Sequence, residues 1–387
     1  MVISPERMKP FFTVSFFVVM ITCFHPYVVK GQGFVKRYIN GILNDTSDVT
    51  KQQFLMYPTL AYAPETSWEV GFSTLYVYYA DRDTTNRLSE INGFTFFTLE
   101  NQYGVWLDHA IYTPADRWFF LGRLRYQSFP LLYFGIGSDA PKEYVARVDA
   151  HQLWLKERVL RQVKKNLFFG LEVDYQRLSQ VEFVPAKPGQ SISLPLGASG
   201  SANLGLGLGL VYDDRHNVLN VRKGAFSELA IFNYNPFSSS AFNFSSLILD
   251  TRFFRPISNR TVLAFQVFGQ STWGEVPFNQ LSLMGGESLM RGYYTGRYRD
   301  NNQLATQAEI RFLPLNLGFT NRLGAAVFAG TSQVFPTWER LAMDKWVVSG
   351  GGGLRFLLFP KKDIYTRLDW ALTREGSGFY FFIGEAF

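Results

Sequence analysis

The chain has 387 residues, 47% of them hydrophobic, and a formal net charge of +6 with both signs dispersed. A mean hydropathy near zero excludes a helical membrane protein, and beyond the first 33 residues no apolar run of about 20 could span as a helix. The dispersed charge argues against a nucleic-acid groove, and the single cysteine, Cys23, leaves no disulfide framework or thiolate metal site.

Residues 1–33 read as an export signal. Arg7 and Lys9 precede the apolar run Phe11–Phe24, and the more polar VVKGQG follows. The competing reading, a membrane anchor, needs a longer run. Removal of the signal leaves a chain without cysteine, which suits an oxidising compartment. Over 34–51, Phe34, Val35, Tyr38, Ile39, Ile42 and Leu43 fall on one helical face. They predict a short amphipathic helix ending near Asn44, either a packed linker or an interfacial or barrel-capping helix.

From residue 52 to 387 the pattern turns to strands. Aromatic-rich, often alternating segments lie near 53–63, 67–80, 89–100, 102–113, 117–128, 143–157, 166–182, 200–214, 224–235, 241–255, 260–272, 303–313, 320–334, 345–359, 361–373 and 377–387. Several exceed the soluble norm of about five or six residues and reach the roughly 9–11 tilted residues that a bilayer demands. Tight connections (Pro256–Arg260, Pro360–Asp363) alternate with long ones (183–199, 273–302), the asymmetry of an outer-membrane barrel. The expected fold is all-β: a transmembrane antiparallel β-barrel of about 16 strands. A soluble sandwich would leave too much of this apolar surface outside one core. Arg161, Lys164 and Lys165 in RQVKKN predict a solvated basic hairpin turn able to touch lipid headgroups.

The stretch NLGLGLGLVYDDR at 203–215 shows why such a sheet must close. Leu204, Leu206, Leu208, Leu210 and Tyr212 share one face, and Gly205, Gly207 and Gly209 the other. A sheet spans a bilayer only if its backbone groups pair within the protein, so leucines face lipid. Glycines facing the lumen leave room for an inserted segment or a close backbone approach. The run has no strand–loop–helix context or Lys-Ser/Thr for a phosphate cradle, and SGGGGLRF at 349–356 is read as another bent, lumen-facing strand. In the final GFYFFIGEAF, Phe379, Phe381, Ile383 and Phe387 share a face, with Glu385 the polar intruder. This ending resembles the signal by which bacterial assembly machinery recognises barrels for the outer membrane.

The chain also resembles the bacterial surface-antigen barrels, the superfamily of BamA, TamA and the two-partner secretion transporters. GLVYDDRHNVLNVRKGAFSEL looks like their strand–turn–strand, with Asp213, Asp214 and Arg215 ending one strand and Lys223 and Gly224 opening the next. LMGGESLMRGYYTGRYRDNNQLATQAEIRF is similar to the family's long external loop, which folds into the lumen with an Arg-Gly-aromatic tip, here Arg291, Gly292 and Tyr293, followed by a strand glutamate, here Glu309. The resemblance covers 200–387 by motif and the first half by pattern. An arginine in a narrow lumen needs carboxylate or carbonyl partners; Glu309 is the first candidate and Asp369 the second. One departure stands out: where the family carries Phe-x-Asp-x-Gly, VFAGTSQV has Gly330 and Ser332. Another is that no periplasmic POTRA repeats precede the barrel.

Catalysis finds little support. His25, His109, His151 and His216 lack metal spacing, and no serine can be tied to either strand histidine for a lipid-face hydrolase. No catalytic residues, metal or cofactor are expected. The resemblance implies an exported outer-membrane protein that assists protein or lipid insertion or translocation; the alternative is a passive pore or structural surface protein. Expected partners are outer-membrane lipid, the barrel-assembly machinery during biogenesis, and a periplasmic protein supplying the missing domains.

Overall fold

The computed structural model describes residues 48, 50–63, 67–99, 101–128, 130–315 and 317–387. The export signal expected over 1–33 and the helix ending near Asn44 lie outside them. The strands are β1 (Gln53–Ala63), β2 (Ser67–Tyr79), β3 (Leu88–Thr98), β4 (Tyr103–Tyr112), β5 (Trp118–Ser128), β6 (Leu131–Tyr133), β7 (Ala146–Lys164), β8 (Leu167–Pro185), β9 (Ser201–Asp213), β10 (Gly224–Tyr234), β11 (Phe244–Ser258), β12 (Thr261–Gly274), β13 (Ser282–Met284), β14 (Tyr298–Asp300), β15 (Asn302–Phe312), β16 (Leu323–Phe335), β17 (Val347–Phe359), β18 (Ile364–Thr373) and β19 (Ser377–Ile383). Sixteen of them form one antiparallel meander in which each strand pairs with the next; β6 is a short addition on β7, and β13 and β14 form a separate ribbon within the long 275–301 loop.

The even count puts the start of β1 and the end of β19 on one rim, here called the terminal rim. The long connections 129–145, 186–200 and 275–301 stand on the opposite, loop rim, and the tight turns 165–166, 259–260 and 360–363 on the terminal rim. The sheet curls until Cα atoms of β1 and β19 come within 8 Å. Among the described residues no hydrogen-bonded ladder joins the two edges, which differs from the zipped closure that the bilayer argument requires. The last strand is also short, seven residues against eleven in β1, and Gly384, at φ +85°, turns the chain out of the sheet after it.

Alternation sets the two faces of the wall. On β9, Leu206, Leu208 and Leu210 are exposed outward while Asn203, Gly205 and Gly209 are buried inward. The glycines do not make room for an inserted segment. A Cβ on Gly205 would sit 2.4 Å from the Tyr234 ring, on Gly207 2.7 Å from Phe232 and on Gly209 1.8 Å from Glu172 Oε1. Side chains of the two neighbouring strands lie flat across β9, and glycine is what lets them. The basic segment expected as a turn is mostly strand: β7 runs through Arg161 to Lys164, with Arg161 opposite Trp118 and its guanidinium 5.8 Å from that ring. Only Lys165 and Asn166 turn, Asn166 at φ +63°. Charged residues alternating with Val159 and Val163 conceal the strand in the sequence.

Candidate functional site

The long loop after β12 enters the wall's interior. Met290, at φ +57°, and Gly292, at φ +99°, bend its tip. A Cβ on Gly292 would lie 2.7 Å from Thr373 Cγ2, so the tip backbone is pressed against β18. Gly292 N–H donates to Tyr380 Oη at 2.9 Å, Tyr293 Oη to the Val348 carbonyl at 3.2 Å, and Gln307 Nε2 to the Ser288 carbonyl at 2.7 Å.

This bend delivers the fully buried Arg291 guanidinium to two carboxylates. Nη2 donates to Glu309 Oε2 and Nη1 to Asp369 Oδ2, each at 2.6 Å. The Phe328 ring covers it, with the centroid 3.4 Å from Cζ. Glu309 lies seven residues along β15 from Asn302, so the tip reaches roughly 24 Å of strand length below the loop's root at about 3.4 Å per residue.

Both carboxylates are shared. Glu309 Oε1 accepts from Arg311 Nε at 2.8 Å and Arg355 Nη2 at 3.3 Å. Asp369 accepts from Arg355 Nη1 at 2.6 Å and Arg367 Nη1 at 2.7 Å. Glu385 completes the set, accepting from Arg355 Nε at 2.9 Å with Arg311 Nε 3.6 Å away. Four guanidiniums thus interlock with three carboxylates out of water, where charge-assisted pairing offsets desolvation only when nearly every lone pair is used. Gly353 of the glycine run belongs to this cage: a Cβ there would lie 2.1 Å from Asp369 Oδ1. Gly330 lies beside the tip: a Cβ there would meet Gln307 Cβ at 3.1 Å and the Thr306 carbonyl at 3.3 Å on β15, with Met290 Sδ of the loop at 3.4 Å. Ser332 Oγ donates to the Leu304 carbonyl at 2.9 Å and takes no part in the cage.

Sequence reasoning singles out none of Arg311, Arg355 and Arg367, and it marks Glu385 only as a polar intruder on the last strand. A signal existed: Glu309/Arg311 and Arg367/Asp369 are opposite charges two apart on one strand, hence on one face, and they are the only charged residues of β15 and β18.

The strand–turn–strand motif occupies the terminal rim. Asp213 Oδ1 accepts from Arg215 N at 3.0 Å and Nε at 2.9 Å, and Oδ2 from Arg215 Nη2 at 2.9 Å and Tyr112 Oη at 2.8 Å. Burial alone would lower the Arg215 pKa, and the paired Asp213 more than reverses that, leaving it raised. Gly224, at φ +114°, brings its backbone against Asp214, whose Oδ1 would be 2.6 Å from a Cβ; Lys223 is exposed. Between these ends, 214–223 crosses toward the β17–β18 turn. Asn217 Nδ2 donates to the Lys362 carbonyl at 2.8 Å, Arg222 Nη2 to Asp363 Oδ1 at 2.7 Å, and Arg222 Nη1 to the Leu313 carbonyl at 3.0 Å. Hydrogen bonding to Asp363 raises the Arg222 pKa.

The final residues depart from expectation. Phe379 and Phe381 are exposed outward and Ile383 is half-buried, but Phe387 turns inside and is 4% exposed. The Gly384 bend breaks the two-residue period. Phe387 packs with Val221, Phe254 and Ala264, its ring 5.3 Å from the Arg311 guanidinium, while its carbonyl accepts from Arg311 Nη2 at 2.9 Å. Glu385 is no intruder on a lipid face but a cage member, its N–H donating to the Leu219 carbonyl at 3.0 Å. His109 and His151 stay on separate strands: His109 Nε2 lies 3.0 Å from Glu157 Oε2, and His151 Nδ1 3.2 Å from Tyr126 Oη.

No family model matches the sequence, and no curated protein matches it. Solved structures do. BamA from Haemophilus ducreyi lacking POTRA domains 1–3 superposes with a TM-score of 0.53 at 14% identity, over 86% of this chain and 69% of that one. The fold is a BamA-type barrel. CdiB from Acinetobacter baumannii gives a TM-score of 0.51 at 9% identity over 86% of this chain, which spans 59% of the CdiB chain. In this BamA-type barrel the cage does one physical job: it pins the 275–301 loop, the three wall strands β15, β17 and β18, and residues 385–387 to one another inside the wall.

Proposed function

We propose that this BamA-type barrel resides in a bacterial outer membrane and assists insertion or translocation of protein or lipid there, rather than acting as an open pore. The observation that carries this reading is the Arg291 tip seated between Glu309 and Asp369. A pore needs a clear lumen, whereas here the tip is buried and the 214–223 segment is tied to the β17–β18 turn at the terminal rim. The β1–β19 boundary, where the described edges share no ladder, offers backbone donors and acceptors that a client strand could use. Export by an N-terminal signal, assembly by the barrel machinery and a periplasmic partner supplying further domains belong to the same reading.

Single-channel recording in planar bilayers tests it. Small, irregular openings are expected from the pinned lumen; a large, steady conductance would support the passive pore instead. A depletion strain assayed for loss of particular surface proteins or lipids would then identify the client.

A further inference from the structure

The two rims carry different charge. Among the described residues on the terminal rim, ten lysines and arginines are exposed against four aspartates and no glutamate; on the loop rim, six exposed cations face seven exposed anions. The excess sits at turn after turn: Arg82 after β2, Arg117 after β4, Lys164 at the end of β7 and Lys165 after it, Arg260 after β11 and Lys361 after β17. These turns are spread round the sheet and not gathered on one sector. They lie at the border of the outward apolar face. Trp118, at the start of β5, is exposed beneath the Arg161 guanidinium, and Phe253 and Ile257 are exposed on either side of Arg255.

We propose that the terminal rim is a cationic collar that seats on the phosphates of anionic phospholipid headgroups in the leaflet around it. The inference rests on reading the strands as a membrane wall. Its occupant follows from the distribution. A protein partner covers one sector, whereas a ring of charge bordering a ring of apolar and aromatic side chains matches an annulus of lipid, whose acyl chains meet the leucines and whose phosphates meet Lys and Arg. Such a collar fixes the barrel's height in the bilayer and enriches anionic lipid beside the β1–β19 boundary.

The test uses the full chain in nanodiscs containing equal phosphatidylcholine and phosphatidylglycerol, with lipid retained after detergent extraction counted by mass spectrometry. The expected result is several-fold enrichment of phosphatidylglycerol, reduced by raising salt and unaffected by millimolar inorganic phosphate. Lys164→Gln/Lys165→Gln/Arg260→Gln should lower the enrichment, by up to about fivefold per charge removed. Arg340→Gln/Arg374→Gln on the loop rim should leave it unchanged. Equal retention of both lipids by the unmodified chain, or equal loss in both variants, would overturn the collar, as would competition by free phosphate. Heat-modifiable gel migration, read on the same samples, separates this failure from failure of the barrel reading.

Discussion

Replacing Arg291 by methionine and Glu309 by glutamine should damage the molecule in different ways, although each breaks the same hydrogen bond. Without Arg291 the cage retains Arg311, Arg355 and Arg367 facing Glu309, Asp369 and Glu385, a balanced set. The loop loses its anchor and the wall keeps its charge balance. Without the Glu309 carboxylate, four guanidiniums face two carboxylates, and Arg311 and Arg355 lose a partner along with Arg291. Breaking a buried pair from one side costs about 3–5 kcal/mol. At about 1.4 kcal/mol per tenfold, Arg291→Met should raise the undocked fraction of the loop by roughly two to three-and-a-half powers of ten. Glu309→Gln adds a cost in the wall itself and should lower the unfolding temperature of the barrel as well. Chymotrypsin cleavage after Tyr293, Tyr294 and Tyr298, which both variants keep, reads the loop; heat-modifiable migration reads the barrel. Equal cleavage in all three proteins, or a larger loss of barrel stability in Arg291→Met than in Glu309→Gln, would refute the reasoning.

Further outcomes follow from the same geometry. Gly353→Ala should destabilise by about 1–3 kcal/mol, seen as a lower migration-shift temperature, because its Cβ would press on Asp369 Oδ1 and the Leu368 carbonyl. Phe387→Ala should cost about 3 kcal/mol or more, whereas Phe379→Ala, on the outward face, should change the same transition little. A double-mutant cycle of Arg222→Met and Asp363→Asn should give a coupling of about 0.5–3 kcal/mol; additivity would mean that 214–223 is held by packing alone.

Strand positions were legible because a membrane wall enforces a two-residue period over many turns, and the outward residues have only lipid to satisfy. The reading failed where something other than lipid faced the outward positions or broke the period. At β7 the outward row runs Arg161, Val159, Glu157 and Leu155, and the charges at the rim read as a turn although the backbone stays paired with β5. At the chain's end the alternation Phe379, Phe381, Ile383 reads straight through to Phe387, but one glycine with positive φ sends the last residues inside. The arginine tip and Glu309 were legible because a motif marks them. Arg355 and Glu385 were not, because no motif marks them and only the cross-strand register, which sets Arg355 opposite Arg367 and Gly353 opposite Asp369, brings Arg355 to the same carboxylates as the tip.

The cage also explains why the last strand is short. A sheet of sixteen strands encloses more space than its own side chains fill, and porins of that size keep it as a channel; here the chain itself supplies filling. It draws on the 275–301 loop from one rim, 214–223 from the other, and residues 384–387 from the end of the wall. The last of these costs ladder hydrogen bonds that β19 could otherwise make with β1 beyond Ile383. Those residues instead give Glu385 to Arg355 and the Phe387 carbonyl to Arg311, and their backbone to Tyr365 and Leu219. Filling the lumen and sealing the wall therefore compete for the same four residues. Whatever loosens the Arg291 tip weakens the hold of the cage on 384–387, so the state of the external loop and the state of the β1–β19 boundary are coupled through Arg355, which touches Glu309, Asp369 and Glu385 at once.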